Sequence, residues 1–140
     1  MDIRFADMDH LKFYKYICAR AEAEGKRVDG YFRSLVYLCS LTPDTRAHFA
    51  DIFDWEGWFI RPESLSAGWQ TGGSRRIIRL AFNLWNGCGS DDPDVADVQA
   101  EYLPDNLFCD GHMEFFFEAL RLRFQRYSSL ADRNFSVISC

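Results

Sequence analysis

The run Trp69–Gly87, WQTGGSRRIIRLAFNLWNG, places the tightest constraint on how this chain folds. Its spacing predicts a helix over Ser74–Asn86, with Ser74 as the cap and Gly87 as a left-handed stop. Ile77, Ile78, Leu80, Ala81, Leu84 and Trp85 are apolar, and Phe82 covers part of the remainder. A helix apolar around so much of its circumference belongs inside a protein. Arg76, Arg79, Asn83 and Asn86 recur at spacings of three and four, so they share one narrow stripe. The expectation is a central buried helix around which others wrap, its guanidinium edge facing polar groups.

The flanking sequence supplies those helices. Asp7 is a cap for a helix over about Met8–Glu24, stopped by Gly25, with Leu11, Tyr14, Ile17, Cys18 and Ala21 on one face. A second follows Asp29 and reaches Ser40, burying Phe32, Leu35, Val36 and Cys39. Thr42-Pro43-Asp44 starts a third, expected to run to Phe53. From Asp54 to Gly73 no period holds. Trp55, Trp58, Phe59, Ile60, Leu65 and Trp69 stand among Gly, Pro and Ser, which predicts a long loop pinned by its rings. A short strand fits Trp58–Arg61, and one helical turn fits Pro62-Glu63-Ser64. Cys88–Glu114 carries eight carboxylates and no Lys or Arg. It reads as an exposed acidic loop, with one helical turn near Pro93–Ala100. A last helix is expected over about Gly111–Tyr127, burying Met113, Phe116, Phe117, Leu120 and Phe124 and exposing Glu118. The tail, Asn134–Cys140, suits a short strand or a frayed end. The fold class is all-α: residues 1–140 as a single helical domain of about five helices, the 88–110 acidic loop within it, and room for a small strand pair.

Composition narrows the function classes. The chain has 140 residues, 48% hydrophobic and 16% aromatic, which suits one domain with a ring-rich core. Its formal charge of −5 shows no basic surplus, so direct nucleic-acid binding is not expected. Cys18, Cys39, Cys88, Cys109 and Cys140 are odd in number and contain no C-x-x-C pair, which suits reduced thiols. The N-terminus lacks an apolar run, and no uncharged stretch approaches the roughly 18 residues a membrane span needs. A soluble cytoplasmic protein is expected. The glycosylation match at Asn134-Phe135-Ser136 is then accidental.

Four stretches carry a resemblance: SLVYLCSLTPDTR (Ser34–Arg46), PESLSAGWQTGGSRR, RLAFNLWNG and FFFEALRLRF. Over roughly Val28–Tyr127 the chain resembles a family of short bacterial proteins from Firmicutes and their mobile elements, known as a domain of unknown function. The resemblance implies a bacterial cytoplasmic or prophage-type origin and assigns no activity, cofactor or functional residue. Cys88–Asn106 matches it least well.

Candidate sites come from the residues themselves, each beside a structural alternative. Trp69, Gln70, Thr71, Gly72, Gly73, Ser74, Arg75, Arg76, Arg79 and Asn83 could bind an anion at a helix start, through free N–H groups and bidentate guanidiniums. Alternatively Ser74 caps, the glycines turn, and the arginines pair with internal acids such as Asp51, Asp54 or Glu56. Asp91, Asp92, Asp94, Asp97 and Glu101 could form an acidic surface for a partner, or simply a solvated loop. Asp91-Asp92-x-Asp94 lacks the glycine and terminal Glu of an EF-hand. Cys109-x-x-His112, even with Cys88, is half of a zinc pattern, so no metal or other cofactor is expected. Cys88 between two glycines follows a helix C-terminus, where a thiolate is disfavoured. His10 and His48 suit surface or half-buried positions. Trp55, Trp58 and Trp69 could stack a ring ligand or close the core. With no catalytic signature, the leading expectation is a non-catalytic interaction protein, of phage or mobile-element type, that binds or inhibits another macromolecule, with a protein as the expected partner. The alternative is a sensor or enzyme holding an anionic ligand or nucleotide at Gly72–Arg79.

Overall fold

Residues 2–127 are described by a computed structural model of the chain. Asp7 starts the first helix because its backbone is extended and its carboxylate accepts the His10 N–H; α1 spans Met8–Ala23. Gly25, at φ 72°, turns the chain. Asp29 caps α2 (Gly30–Cys39) in the same way, accepting the Phe32 N–H. Phe32 and every residue from Ser34 to Cys39 are buried in α2, which packs against α1, α5 and α7.

Thr42 and Thr45 form a reciprocal capping box at α3 (Pro43–Ala47). The single helix expected as far as Phe53 is broken. His48 leaves the helical region at φ −107° and ψ 17°, and a separate turn, α4 (Phe49–Ile52), follows. The His48 imidazole lies flat on Trp69 with ring centroids 4.2 Å apart. Its backbone departs from the helix where that stack forms.

A small antiparallel pair follows: β1 (Phe53–Asp54) and β2 (Phe59–Ile60), with Phe53 opposite Ile60. The connecting turn is held by Asp54, whose carbonyl accepts the Trp58 N–H at 2.7 Å and whose carboxylate accepts the Gly57 N–H at 2.9 Å. Trp58 sits at φ 60°, a conformation costing an L-residue about 1 kcal/mol. Its ring stacks on Phe32 at 4.6 Å and meets Phe53 edge-on, so packing offsets the strain. The expected helical turn is a 3-10 turn over Pro62–Ser66.

The fifth helix, α5 (Gly72–Asn86), starts earlier than the sequence reading placed it. Thr71 is the cap, and Ser74 is the partner inside the helix. The Ser74 N–H donates to Thr71 Oγ1 at 3.1 Å, and the Thr71 N–H donates to Ser74 Oγ at 2.8 Å. Ile77, Ile78, Leu80, Ala81, Phe82 and Leu84 are buried, and Gly87 closes the helix at φ 78°. Within the acidic stretch, a 3-10 turn forms over Ala100–Tyr102 and α6 over Pro104–Leu107.

The last α-helix, α7 (Met113–Arg123), is shorter than expected and rotated. Phe116, Glu118, Ala119 and Leu122 are buried, while Phe117 is 60% exposed and Met113 and Phe124 also face outward. Two apolar stripes compete on this helix. The small Ala119 lies on the winning stripe, where α7 packs closely against α2. Gly30, at the start of α2, brings its backbone against the Leu122 and Arg123 carbonyls. The expected exposure of Glu118 is therefore overturned. Glu118 is only 9% exposed, and its carboxylate accepts from Arg121. A 3-10 turn over Gln125–Tyr127 ends the described chain. The expectations for Asn134–Cys140 and the match at Asn134-Phe135-Ser136 lie outside the described residues. Among the described residues no helix is long and apolar enough to cross a membrane.

Candidate functional site

The helix start at Thr71 is built as a packed corner. Ser74 Oγ donates to Gln70 Oε1 at 2.5 Å, and Gln70 Nε2 donates to the Ser64 carbonyl at 3.1 Å. Gln70 and Ser74 are buried. Trp69 is held against His48, and its Nε1 is buried without a hydrogen-bond partner among the described residues. These residues fasten α5 to the 62–66 turn. Gly72 and Gly73 remain at the surface end of the corner.

From that corner the polar stripe of α5 runs along the loop segments, each long side chain tied to a different one. Arg75 Nε donates to the Leu65 carbonyl at 3.0 Å. Arg76 Nε donates to the Asn106 carbonyl at 3.1 Å, and its Nη1 stands 3.8 Å from Asp110 Oδ2. Arg79 forms a two-pronged pair with Asp91, Nε to Oδ1 at 3.1 Å and Nη2 to Oδ2 at 2.8 Å. Asn83 Nδ2 donates to the Cys88 carbonyl at 3.0 Å. The expected partners Asp51, Asp54 and Glu56 do not serve this stripe. Asp51 pairs with His48, and Asp54 pairs with Arg61. The acids that meet the stripe come instead from the stretch after α5.

Asp91 is the pivot of that stretch. Its Oδ1 also accepts the Tyr102 hydroxyl at 2.9 Å, and its N–H donates to Gln99 Oε1 at 2.9 Å. Burial alone would raise the Asp91 carboxyl. Hydrogen bonds from Arg79 and Tyr102 and the Arg79 charge outweigh it and hold the group below the usual aspartate value. Burial and the adjacent carboxylate push the Tyr102 hydroxyl well above its usual value. Gly89 permits close contact with Val98, and its carbonyl accepts the Gln99 N–H at 2.7 Å. Residues 88–106 thus form a lobe drawn back onto α5, not a free loop.

What the lobe turns outward is acidic and apolar together. Asp92, Asp94, Asp97, Glu101 and Asp105 are exposed. Between them Val98 is 64% and Leu103 49% exposed, and Val95 is also outside. No Lys or Arg occurs between Arg79 and Arg121. Sequence reasoning found the carboxylates and missed the valines and Leu103. Their placement between acids in a stretch without regular period was the available signal.

The other candidates make contacts within the fold. His10 is fully buried, contrary to the expected surface or half-buried position. The Ala6 N–H donates to its Nδ1 at 3.0 Å and its Nε2 donates to the Tyr37 carbonyl at 2.8 Å, which defines a neutral ring. Trp55 donates to Glu24 at 3.0 Å and carries Arg20 over its ring. The Cys88 thiol donates to the Ser90 carbonyl at 3.0 Å. Burial pushes the Cys18 thiol up to about 11 and Cys39 higher still, so neither is a ready thiolate. Among the described residues no three His, Cys, Asp or Glu side chains converge to hold a metal.

No curated protein and no solved structure matches the chain. A family model described as "Family of unknown function (DUF6075)" matches residues 1–135. With nearly its whole length matched, helix starts, α5 corner and acidic lobe included, the chain belongs to the DUF6075 family.

Proposed function

We propose that this is a non-catalytic interaction protein whose acidic lobe docks on a basic, partly apolar segment of another protein and so binds or inhibits it. One observation carries the reading: Asp92, Asp94, Asp97, Glu101 and Asp105 face solvent with Val95, Val98 and Leu103 among them. Carboxylates attract and orient a cationic partner, and the apolar side chains supply area that loses water on contact. Arg79 and Asn83 hold the lobe in place, so less ordering entropy is lost on binding than for a free loop. A protein of phage or mobile-element origin acting inside a cell is the setting that suits such an inhibitor.

The test compares two baits in a lysate of the source organism: the native chain and a variant carrying Asp92→Asn, Asp94→Asn, Asp97→Asn and Glu101→Gln. These side chains are exposed, so the variant keeps its fold. The expected result is a basic protein captured by the native bait, released by raised salt, and absent from the variant. Equal capture by both baits would overturn the proposal.

A further inference from the structure

A cleft of about 330 Å³ lies between the first half of α5 and the lobe, lined by Gly72, Arg75, Arg76 and Arg79 on one wall and Glu101 and Asn106 on the other. Each arginine is anchored through its Nε: Arg75 to Leu65, Arg76 to Asn106, Arg79 to Asp91. Anchoring there fixes the plane of a guanidinium; in Arg79 the Nη2 also goes to Asp91, whereas in Arg75 and Arg76 the terminal amino groups are left to something else. Both terminal nitrogens of Arg75 and both of Arg76 make no hydrogen bond among the described residues. The nearest carboxylate oxygen to Arg76 Nη1, on Asp110, is 3.8 Å away, too far for one. None of these nitrogens is sealed from solvent. Arg76 Nη1 folds back over the helix start, 3.8 Å from where a side-chain carbon on Gly72 would stand. Asp91 is already occupied by Arg79 and Tyr102. On the far wall Glu101 makes no ion pair among the described residues, and the Asn106 amide is spent on the Ala100 carbonyl.

We infer that the cleft binds a small zwitterion, its oxyanion held by Arg75 and Arg76 and its ammonium facing Glu101. A plain anion would meet the Glu101 carboxylate as a repulsive neighbour. A ligand carrying both charges would meet Arg75 and Arg76 at one end, Arg76 keeping Asp110 at 3.8 Å, and Glu101 at the other, and the cleft has room for a molecule of amino-acid size. The oxyanion is a carboxylate or a phosphate. Two guanidiniums held through their Nε on the wall of one cleft can receive either one, with charge-assisted hydrogen bonds. The site shares Glu101 with the docking face of the lobe, and Arg75→Gln, which leaves that face intact, separates the two readings.

The test is calorimetric titration of the full chain, at fixed ionic strength, with O-phosphoethanolamine, γ-aminobutyrate and inorganic phosphate. Saturable binding of at least one zwitterion is expected, and which one identifies the oxyanion. Arg75→Gln and Glu101→Gln should each weaken it about tenfold, the loss expected for one charged hydrogen bond. Arg75 bonds only a backbone carbonyl among the described residues, so its variant folds, as an unchanged melting temperature would verify. Arg27→Gln, remote and exposed, should bind as the native chain does. Inorganic phosphate should bind more weakly than the zwitterion and tighten in Glu101→Gln. The inference is overturned by no saturable heat from either zwitterion, by binding indifferent to both cleft variants, or by phosphate binding more tightly than both zwitterions.

Discussion

Arg79 on α5 and Asp91 on the acidic lobe grip each other through two parallel hydrogen bonds, at 3.1 and 2.8 Å, across a twelve-residue separation. The pair is the lobe's one two-pronged attachment to α5 among the described residues. Removing Arg79 leaves Asp91 partly buried beside Tyr102, so Arg79→Ala should cost about 1–3 kcal/mol, less than a fully buried pair because Asp91 still touches solvent. Amide hydrogen exchange should quicken across 92–103 and stay slow in α2. Acid should act on the same contact. The folded Asp91 value lies below the unfolded one, so its contribution is complete above the usual aspartate pKa of about 3.9 and is lost as pH falls through the folded value. The stability gap between the native chain and Asp91→Asn should therefore shrink on acidification toward about pH 3.

His10 sets a second pH dependence at higher pH. Burial lowers its pKa from 6.5, outweighing the hydrogen bond to the Tyr37 carbonyl, which raises it. Below 6.5 the unfolded chain takes up a proton that the folded chain refuses. Stability from this group is complete above 6.5 and falls as pH drops from there toward the folded value. Urea midpoints of the native chain should decline between about pH 7 and about pH 5.5, and His10→Gln should lower the midpoint at both while removing much of that slope.

Gly30 tests the closeness of α2 and α7. A side-chain carbon there would stand 2.9 Å from the Leu122 carbonyl oxygen and 3.0 Å from that of Arg123. Both are backbone atoms that cannot rotate away. Gly30→Ala should destabilise by about 1–3 kcal/mol, although alanine favours helices, and Gly30→Val should cost more. Thermal denaturation decides it; a neutral Gly30→Ala would mean that the two helices stand further apart.

The rotation of α7 separates two adjacent phenylalanines. Phe116 is fully buried and Phe117 is 60% exposed. Phe116→Ala should cost about 3–5 kcal/mol, whereas Phe117→Ser should change stability by less than about 0.5 kcal/mol. The reverse order in chemical denaturation would restore the stripe that periodicity alone suggests.

Helix ends were legible because their bonds are local. Asp7, Asp29 and Thr42 each cap within three residues, and Gly87 takes the left-handed stop. Thr71 and Ser74 were confused because a capping box is reciprocal, and both hydroxyls sit at the right spacing for their roles. The Arg/Asn stripe was legible from period, but its partners were not. Asp91 reaches Arg79 by the path of a lobe that no period encodes. His10 could not be read as buried, since its carbonyl partner lies 27 residues away. On α7 the choice between stripes was made by Ala119 and Gly30, small residues that carry little weight in a hydrophobic pattern.

The α5 arginines clamp the acidic lobe in place, and a double-mutant cycle on Arg79 and Asp91 measures that clamp. Stabilities of the native chain, Arg79→Met, Asp91→Asn and the double variant should be measured by urea denaturation at neutral pH. The clamp predicts that the two single losses fail to add, with a coupling of about 1–2 kcal/mol. Losses that add to within error would contradict it, and the lobe would then be held by something other than this pair.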